Sequence, residues 1–290
     1  MPIRSESVGG LPRRFFKMCG AGNDFLVFPA KVEIGPREAE TIRRLCRRGT
    51  GVGADGVLFV HPEETGDGPP RVVADYYNAD GGAARFCANG TRCAARFAQL
   101  HSGVGNELVV STGWGALGAV VRPDGSVTIE LPEPVTIGPA VSSFDGDEKV
   151  LERSATSVTV GVPHLVVFAA PDVEVETLDV GALGPPLRRH PDLPDGANVN
   201  FASRRGTSRL SVRSYERGVE AETLSCGSGV VAAAVVAAAR SGDAPPLSVA
   251  TRSGSALAVD FRLEGNVAHD VSLTGDACVV FEGVLSEEIL

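Results

Sequence analysis

The chain has 290 residues, of which 43% are hydrophobic and 22% are charged, and it carries a formal net charge of −9 at pH 7. This composition excludes an intrinsically disordered chain, because enough apolar side chains are present to build a core. The acidic balance, without any cluster of Lys and Arg, also excludes nucleic acid or an anionic membrane as an electrostatic partner.

The first half of the chain has the pattern of short strands with two helices. A helix is predicted from Pro36 to Arg48, because Pro stands at its first position, Gly49 follows its end and basic residues fill its last turn. A second helix is predicted from about residue 90 to residue 100, after Cys87. Runs rich in Val, Phe and Tyr between turn residues predict strands at residues 15–18, 25–28, 57–60, 72–77, 107–111, 116–121 and 127–131.

The second half repeats this pattern after a Pro132-Glu133-Pro134 linker. An irregular helix is predicted within residues 177–189, and another helix follows Cys226. The apolar run of that last helix, residues 229–239, is too short and too small-sided to span a bilayer, which indicates a buried helix. Strands are predicted at residues 158–162, 165–169, 199–202, 210–215, 247–251, 256–261 and 279–284.

Many strands and few helices in each half predict an α+β fold, with a mixed or antiparallel sheet wrapped on a helix, rather than a doubly wound parallel sheet. The expected first domain is residues 1–131, completed by a C-terminal strand within residues 277–290. The expected second domain is residues 135–276.

Two cysteines, Cys87 and Cys226, occupy equivalent settings about half a chain apart. Each follows a strand-like run, meets a Gly-rich turn and opens an Ala-rich helical pattern. A helix N-terminus lowers the pKa of a thiol, so both are predicted to be reactive. One such thiol per half predicts two thiols facing each other across a cleft, one to take a proton and one to give it. The remaining four are interpreted as small buried side chains: Cys19, Cys46, Cys93 and Cys278.

Polar residues cluster near both cysteines. The Asn78-Ala79-Asp80-Gly81 turn precedes Cys87, and Glu216-Arg217 precedes Cys226. These are either an ordinary turn and a surface ion pair, or a site for a zwitterionic amino acid, with guanidinium for carboxylate and carboxylate for ammonium. His164 is either a core histidine or a base near the ligand. Asn198 and its neighbour Asn200 either bind ligand or cap a loop.

Common cofactor motifs are missing or in the wrong context. Residues 51–56, Gly-Val-Gly-Ala-Asp-Gly, match the glycine pattern of a dinucleotide site, but a helix precedes them and a strand follows, which is the reverse of the required order. No P-loop, zinc HExxH motif or Gly-x-Ser-x-Gly elbow occurs. The motifs therefore give no indication of a nucleotide cofactor or a zinc site.

Taken together, these residues resemble the diaminopimelate epimerase family. The family's motifs occur in its order over about residues 14 to 284, and the ordered set is specific although each string is short. The matching strings are Gly22-Asn23-Asp24-Phe25, residues 51–56, residues 78–81, Cys87-Ala88-Asn89-Gly90-Thr91-Arg92-Cys93, Val162-Pro163-His164, residues 198–201, Glu216-Arg217-Gly218, Glu222-Thr223-Leu224 and Cys226-Gly227-Ser228-Gly229.

The resemblance implies two pseudo-symmetric halves, each a curled sheet around a central helix, with the active site in the cleft between them. It implies interconversion of LL- and meso-diaminopimelate without pyridoxal phosphate or metal, in lysine and peptidoglycan precursor synthesis. Cys87 and Cys226 are then the catalytic thiolate and thiol.

The resemblance also implies a set of residues around the substrate. Their roles would be distal-end recognition, binding of the α-carboxylate at the two helix N-termini, and tuning of the thiols by His164 and Glu216. The substrate-binding set is Asn23, Asn78, Asn198, Glu216 and Arg217, together with Asn89, Gly90, Gly227, Ser228 and Gly229 at the helix starts.

The chain departs from the commonest family pattern at several positions. Ala88 and Ala221 replace a usual Gly, and Cys19 replaces a common His. Gly56 stands where Gln is frequent, and Val162 where Asn is frequent, so two polar groups near the distal end of the ligand are lost.

Three alternatives remain on the sequence. The chain could be a sister two-cysteine racemase or epimerase for proline, hydroxyproline or histidine, a thiol redox switch that closes a disulfide between Cys87 and Cys226, or a binding protein without chemistry.

The expected partner is a small amino-acid substrate, with a homodimer as a further expectation. The spaced cysteines and the lack of an apolar N-terminal segment predict a cytoplasmic protein.

Overall fold

The computed structural model describes residues 7–64, 68–142 and 149–289. Over these residues the chain forms helices α1 (Pro36–Cys46), α2 (Ala88–His101), α3 (Val180–Arg188) and α4 (Gly227–Ser241), with short 3-10 helices at Val175–Thr177 and Glu287–Ile289. The strands are β1 (Ser7–Val8), β2 (Leu11–Pro12), β3 (Arg14–Gly20), β4 (Asn23–Phe28), β5 (Gly56–Pro62), β6 (Arg71–Asn78), β7 (Ala83–Ala84), β8 (Glu107–Ser111), β9 (Ala116–Val121), β10 (Val127–Glu130), β11 (Val135–Ser142), β12 (Leu151–Val160), β13 (Val162–Ala169), β14 (Asn198–Arg204), β15 (Arg209–Glu216), β16 (Ala221–Thr223), β17 (Leu247–Ala250), β18 (Ala256–Glu264), β19 (Val267–Gly275) and β20 (Cys278–Val284).

The chain divides into two compact units, Met1–Ile129 with Asp276–Leu290, and Glu130–Gly275. In the first unit the sheet order is β20-β3-β4-β5-β6-β8-β9-β10, with β7 paired to β6. Its neighbouring strands are antiparallel except for β4–β5 and β6–β8, which are parallel.

The second unit repeats this topology strand for strand. Its order is β11-β12-β13-β14-β15-β17-β18-β19, with β16 paired to β15, and its two parallel pairs are β13–β14 and β15–β17. The edge strands β11 and β19 also pair, so this sheet closes on itself. The matching orders confirm the predicted α+β fold with two pseudo-symmetric halves.

Each sheet curls around one helix. α2 contacts β3–β6, β8, β9 and β20, and α4 contacts β11–β15 and β17–β19. Residues 229–238 of α4 are buried on every side, as expected for a helix that is apolar all round and small-sided enough to lie close to a sheet. α4 ends at Gly242, whose φ of 72° is the left-handed cap that glycine adopts readily. None of the helices in the described ranges combines the length and apolar character of a membrane span.

The other two helices pack on the sheets through separate apolar clusters. Ile42 and Leu45 of α1 lie with Phe28 and Phe59 in the first unit. In the second unit, Val180 and Leu187 of α3 lie in a cluster with Phe201 and Tyr215. α3 tolerates its internal Pro185 and Pro186 as a short helix of nine residues.

Helix positions were predicted well, while several strands were missed. α1 and α3 lie within the predicted ranges, and α2 starts two residues earlier than predicted. The prediction missed β11 and β19 altogether and only overlapped the end of β12. β11 is interrupted by Gly138-Pro139, while β12 and β19 alternate apolar and polar residues over part of their length, a period-two strand pattern that a search for Val-rich runs overlooks.

Candidate active site

Cys87 is the N-cap residue of α2. Its backbone is extended (φ −144°, ψ 110°), and its sulfur accepts a hydrogen bond from the Gly90 N–H at 3.5 Å. The thiol is half-buried. One first-turn N–H group of α2 therefore reaches a partly accessible sulfur at the helix N-terminus.

Asn23 lies against this thiol from the β3–β4 turn. The Cys87 thiol donates to Asn23 Oδ1 at 3.5 Å, and Asn23 Nδ2 donates to Asp55 Oδ2 at 2.6 Å. Asp55 thereby fixes the orientation of the amide, so that the Asn23 oxygen points to the sulfur. Asp55 was not singled out from the sequence, because it lay in a glycine-rich string without any periodicity.

The turn that carries Asn23 is anchored by an ion-pair network on Asp24. Its carboxylate lies 2.6 Å from Lys17 Nζ and 2.6 Å from Arg48 Nη2. Burial raises the pKa of Asp24, but hydrogen bonds from Arg48 and Lys17 outweigh burial and lower this pKa to about 2. Asp24 is therefore ionised at any physiological pH, and it holds β4 in place beside the site.

Asn89 and Arg92 form a buried pair in the first turns of α2. Arg92 Nη2 donates to Asn89 Oδ1 at 2.8 Å, and both side chains are at most 2% exposed. The Asn89 side chain is thus hydrogen-bonded within the protein. The candidate ligand-binding group of Asn89 is therefore its backbone N–H. Arg92 lies in one of the matching motifs, but the sequence gave no indication that its side chain is buried.

Cys226 is the N-cap residue of α4, at the position in the second unit that matches Cys87. Its backbone is extended (φ −111°, ψ 105°), and its sulfur lies 3.6 Å from Ser228 Oγ. The side chain is only 6% exposed. Gly227, Ser228 and Gly229 supply the first-turn N–H groups of this helix.

A buried polar network lies directly beneath the start of α4. Asn200 Nδ2 donates to His164 Nδ1 at 3.1 Å, and Ser214 Oγ donates to Asn200 Oδ1 at 2.8 Å. A Cβ added at Gly229 would come 2.0 Å from Asn200 Oδ1, so only glycine fits at this point of α4. Asn200 lies in the motif at residues 198–201 but was not among the predicted site residues; its position two residues after Asn198, on the same face of β14, was the available signal.

His164 is fully buried and neutral. Burial, followed by the positive charge of Arg217, lowers its pKa to about 3. Because Nδ1 accepts from Asn200, the ring proton lies on Nε2, and Nε2 has no hydrogen-bond partner among the described residues. A buried N–H without a partner is costly, so its presence here calls for an explanation.

The remaining polar residues of the second unit lie at the ends of β14 and β15. Asn198 Oδ1 accepts from the Arg217 backbone N–H at 2.8 Å, and Arg217 Nη1 donates to the Asp195 carbonyl at 2.9 Å. Glu216 Oε1 accepts from Thr223 Oγ1 at 2.5 Å. Asn198, Glu216 and Arg217 are thus brought together as one polar edge.

The Asn78 side chain takes no part in the hydrogen-bond networks around Asn23, His164 and Arg217. Asn78 ends β6 opposite Gly56, its side chain is exposed, and no side-chain hydrogen bond of Asn78 is found among the described residues. The turn that follows it closes through its backbone, with the Gly81 N–H donating to the Asn78 carbonyl at 2.9 Å.

Two departures from the family pattern have structural explanations. Tyr76 fills the space above Gly56, since a Cβ there would lie 2.6 Å from the Tyr76 ring and 2.9 Å from its hydroxyl. A polar hydroxyl therefore occupies the place of a longer side chain at position 56. Ala88 is the first residue of α2 and has no positive φ, so alanine fits there.

The other cysteines differ in exposure. Cys46 and Cys93 are buried as predicted; burial raises the pKa of Cys46 to about 12 and that of Cys93 well above its ordinary value. The prediction was wrong for Cys278, which is exposed, and for Cys19, which is half-buried. Both stand at the β3–β20 edge, where they pair directly.

Comparison with known proteins gives the class and the family. The diaminopimelate epimerase family model matches residues 15–137 and again residues 156–278. The diaminopimelate epimerase of Aquifex aeolicus is 37% identical over 95% of this chain and 99% of its own, and that of Methanothrix thermoacetophila is 37% identical over 95% and 97%.

Solved structures show the same fold at lower identity. A probable proline racemase from Agrobacterium radiobacter superposes with a TM-score of 0.65 at 16% identity, over 94% of this chain and 93% of its own. A hydroxyproline epimerase from Agrobacterium vitis gives 0.61 at 18% identity, over 94% and 92%. The fold and the full-length relatives define an isomerase of the epimerase class. The chain belongs to the diaminopimelate epimerase family.

Proposed function

We propose that this chain is a cofactor-independent epimerase that interconverts LL- and meso-diaminopimelate with a pair of thiols. One observation carries the proposal. Each of the two segments that match the family model contains one cysteine that is the N-cap residue of the central helix of its unit, Cys87 in α2 and Cys226 in α4. A duplicated fold that duplicates a reactive thiol at a helix N-terminus is suited to two-base proton transfer.

In the proposed reaction one sulfur is a thiolate and the other a thiol. The thiolate takes the α-proton as the C–H bond breaks, and the electron pair remains on the α-carbon and its carboxylate. The thiol of the other unit then delivers its proton to the opposite face of that carbon, which inverts the centre. The protons balance, and the two cysteines finish with their ionisation states exchanged. Reaction from the other isomer runs the same steps in reverse.

An α-C–H is a very weak acid, so the negative charge that builds on the substrate needs stabilisation. We assign this role to the backbone N–H groups of Asn89, Gly90, Ser228 and Gly229, with Gly227 at the start of α4. These groups stand in the first turns of α2 and α4, where N–H groups lack partners within a helix and the helix dipole favours an anion. The α-carboxylate is the group they suit.

The distal amino-acid end of the substrate is assigned to Asn23, Asn78, Asn198, Glu216 and Arg217. Guanidinium pairs with a carboxylate, and Glu216 pairs with an ammonium group. The polar edge formed by Asn198, Glu216 and Arg217 supports this assignment, and so does the place of Asn23 against the Cys87 thiol. His164, with its unpartnered Nε2, and Glu216 are assigned to tuning the thiols.

The wider setting follows from the same proposal. The product would enter lysine and peptidoglycan precursor synthesis in the cytoplasm, and the reaction would use neither pyridoxal phosphate nor metal.

A homodimer is also proposed. Three exposed apolar side chains on β20, Val280, Phe281 and Val284, support an apolar contact surface. Light scattering on the purified chain tests the dimer directly.

Deuterium exchange tests the function. The reduced protein is incubated with LL-diaminopimelate in D₂O without added cofactor, and NMR follows the α-proton signal and the meso isomer. We expect loss of the α-proton together with meso product. No exchange, with the thiols titrated as reduced, would overturn the substrate assignment. Exchange of proline, hydroxyproline or histidine in its place would establish a sister two-cysteine racemase.

A further inference from the structure

Cys19 and Cys278 face each other across two neighbouring strands of the first unit. Cys19 lies near the end of β3, Cys278 begins β20, and the two residues are direct partners in the antiparallel register. Directly opposite residues of antiparallel strands point to the same face of the sheet, with Cα atoms about 4.5 to 5.5 Å apart. A disulfide joins residues whose Cα atoms are about 4.4 to 6.8 Å apart. This pair therefore has the backbone spacing of a cross-strand disulfide.

Both residues are free cysteines, and their thiols lie close enough to interact. Cys278 Sγ donates to the Cys19 carbonyl at 3.5 Å, so this sulfur lies against the Cys19 main chain. The Cys278 thiol also acts electrostatically on the Cys19 thiol. Rotation about the Cα–Cβ bond of Cys278 would turn its sulfur from the carbonyl towards the Cys19 side chain. The bond between them thus requires rotation of side chains and no change of strand register.

The two thiols differ in their access to a reagent in solution. Cys278 is exposed, whereas Cys19 is half-buried. Burial raises the pKa of Cys19, and a backbone hydrogen bond from Gly22 offsets only part of this rise. Because the thiolate is the reactive form, Cys278 is the thiol that a reagent meets first, and Cys19 is placed to react second.

Cys93 lies near this pair but on the other face of β3. A Cβ added at Gly20 would come 3.2 Å from Cys93 Sγ, and successive residues of a strand point to opposite faces. The Cys19 side chain therefore points away from the side on which Cys93 lies. Cys93 is also 0% exposed, so a reagent in solution does not reach it. The geometry thus favours Cys278 over Cys93 as the partner of Cys19.

We propose that Cys19 and Cys278 form a reversible redox site that closes a disulfide, with a low-molecular-weight disulfide such as oxidised glutathione as the oxidant. The Cys278 thiolate attacks one sulfur of the oxidant, which forms a mixed disulfide and releases one thiolate. Cys19 then loses its proton and attacks the Cys278 sulfur, which releases the second thiolate. Two protein thiols are oxidised to one disulfide, the oxidant is reduced to two thiols, and the two protons of the cysteines pass to the two released thiolates.

The bond would fasten the C-terminal strand β20 to β3 beside the β3–β4 turn. Asp276, two residues before Cys278, already contacts this turn, since both of its carboxylate oxygens accept the Ala21 N–H at 3.1 Å. Oxidation would add a covalent link to that contact. The joined residues are 259 positions apart in the chain, so the disulfide would close a long loop and restrict the unfolded chain. The oxidised protein should therefore resist denaturation better than the reduced protein.

Peptide mapping after oxidation tests the site without substrate. The reduced protein is incubated with excess oxidised glutathione, the remaining thiols are alkylated, and mass spectrometry identifies the linked peptides. We expect a disulfide between Cys19 and Cys278 of one chain, which dithiothreitol removes. An unmodified pair, a glutathione adduct on Cys278 that does not resolve, or a bond from either residue to another cysteine would overturn the proposal. A bond between the Cys278 residues of two chains would overturn it as well.

Single variants test the order of the two steps. Cys19→Ala should stop at the glutathione adduct of Cys278, because the resolving thiol is missing. In Cys278→Ala, Cys19 should form its adduct at least about 10-fold more slowly than Cys278 does in Cys19→Ala, because Cys19 is half-buried. Cys46→Ala is the matched control, since it removes a buried cysteine of the same unit and should leave the disulfide unchanged. Equal or faster modification of Cys19 would contradict the assigned order.

Urea denaturation measures the consequence of the bond. Oxidation should raise the midpoint of unfolding of the wild type by about 0.5 M or more, and dithiothreitol should reverse this rise. Cys278→Ala receives the same treatment and should show no such rise. A wild-type midpoint that does not rise, or an equal rise in both proteins, would contradict the link between β20 and β3. None of these measurements requires turnover, so the inference is independent of the proposed function and of the deuterium-exchange result.

Discussion

At the scale of single residues, the two units differ most in how they hold buried charge and buried polar groups. The first unit contains the ion pair of Lys17 with Asp24 and the buried pair of Arg92 with Asn89, and the second contains a neutral network on Asn200 and His164. Burial of ionisable groups makes the free energy of unfolding depend on pH. It also makes this free energy depend on each ion-pair partner, because a charged group left unpaired in the interior lowers stability.

His164 should make the protein less stable in mild acid. Its pKa is lowered from 6.5 in the unfolded chain to about 3 in the fold. The unfolded state therefore binds one more proton between these values, and the stabilising contribution of neutral His164 is lost as pH falls from about 6.5. We expect the free energy of unfolding to drop by up to about 1.4 kcal/mol per pH unit from this residue alone. Urea denaturation at a series of pH values measures the slope.

The variant His164→Gln provides the comparison, since glutamine cannot titrate. Its slope of stability against pH should be shallower than that of the wild type over this window and equal to it above pH 7. Identical slopes across the whole range would show that His164 is not buried neutral.

The Asp24 network should behave as a coupled unit. Lys17 is 7% exposed and lies 2.6 Å from Asp24, so Asp24→Asn would leave a buried ammonium group without its anion. We expect a loss of about 3 kcal/mol of stability, because breaking a buried ion pair leaves an uncompensated charge. The double variant Lys17→Met with Asp24→Asn should recover part of that loss. Additive losses in this double-mutant cycle, measured by urea denaturation, would contradict the coupling.

At the scale of elements, the start of each central helix is the decisive feature. The Gly-rich turn and the Ala-rich run after each cysteine were enough to predict α2, α4 and the N-cap position of both thiols. The strands β11 and β19 were missed because they lack a Val-rich run, although each pairs antiparallel with a strand next to it in the chain. The spacing of Asn200 two residues after Asn198 was a weak signal of its position, whereas the burial of Asn200 and Arg92 could not be read from the sequence.

A pair of glycines at matching helix positions tests how closely α4 packs on its sheet. Gly229→Ala should lower the free energy of unfolding by about 1 to 3 kcal/mol, because its Cβ would come 2.0 Å from Asn200 Oδ1 and displace the partner of His164. Gly90→Ala in α2 is the control for stability, since its Cβ would meet neighbours no closer than 3.5 Å. Thermal or urea denaturation compares the two, and equal effects would rule out the tight contact at Asn200.

At the scale of the whole molecule, the chain is a repeat of one topology, with one N-cap cysteine in each copy. The repeat was visible in the sequence as two cysteines in like settings, while the strand-for-strand match of the sheets required the structure. The site residues divide in the same way. Those in short ordered motifs were predictable, and those that act through buried contacts were not.

The central claim is that both copies of the thiol are needed for one inversion. The most direct measurement is epimerisation of LL-diaminopimelate in D₂O by Cys87→Ala and by Cys226→Ala under reducing conditions, with Cys278→Ala as the control because Cys278 is exposed and takes no part in the proposed reaction. We predict that each of the first two variants forms the meso isomer at least about 100-fold more slowly than wild type, while the control keeps its rate. Near-wild-type epimerisation by either variant would contradict the two-thiol account.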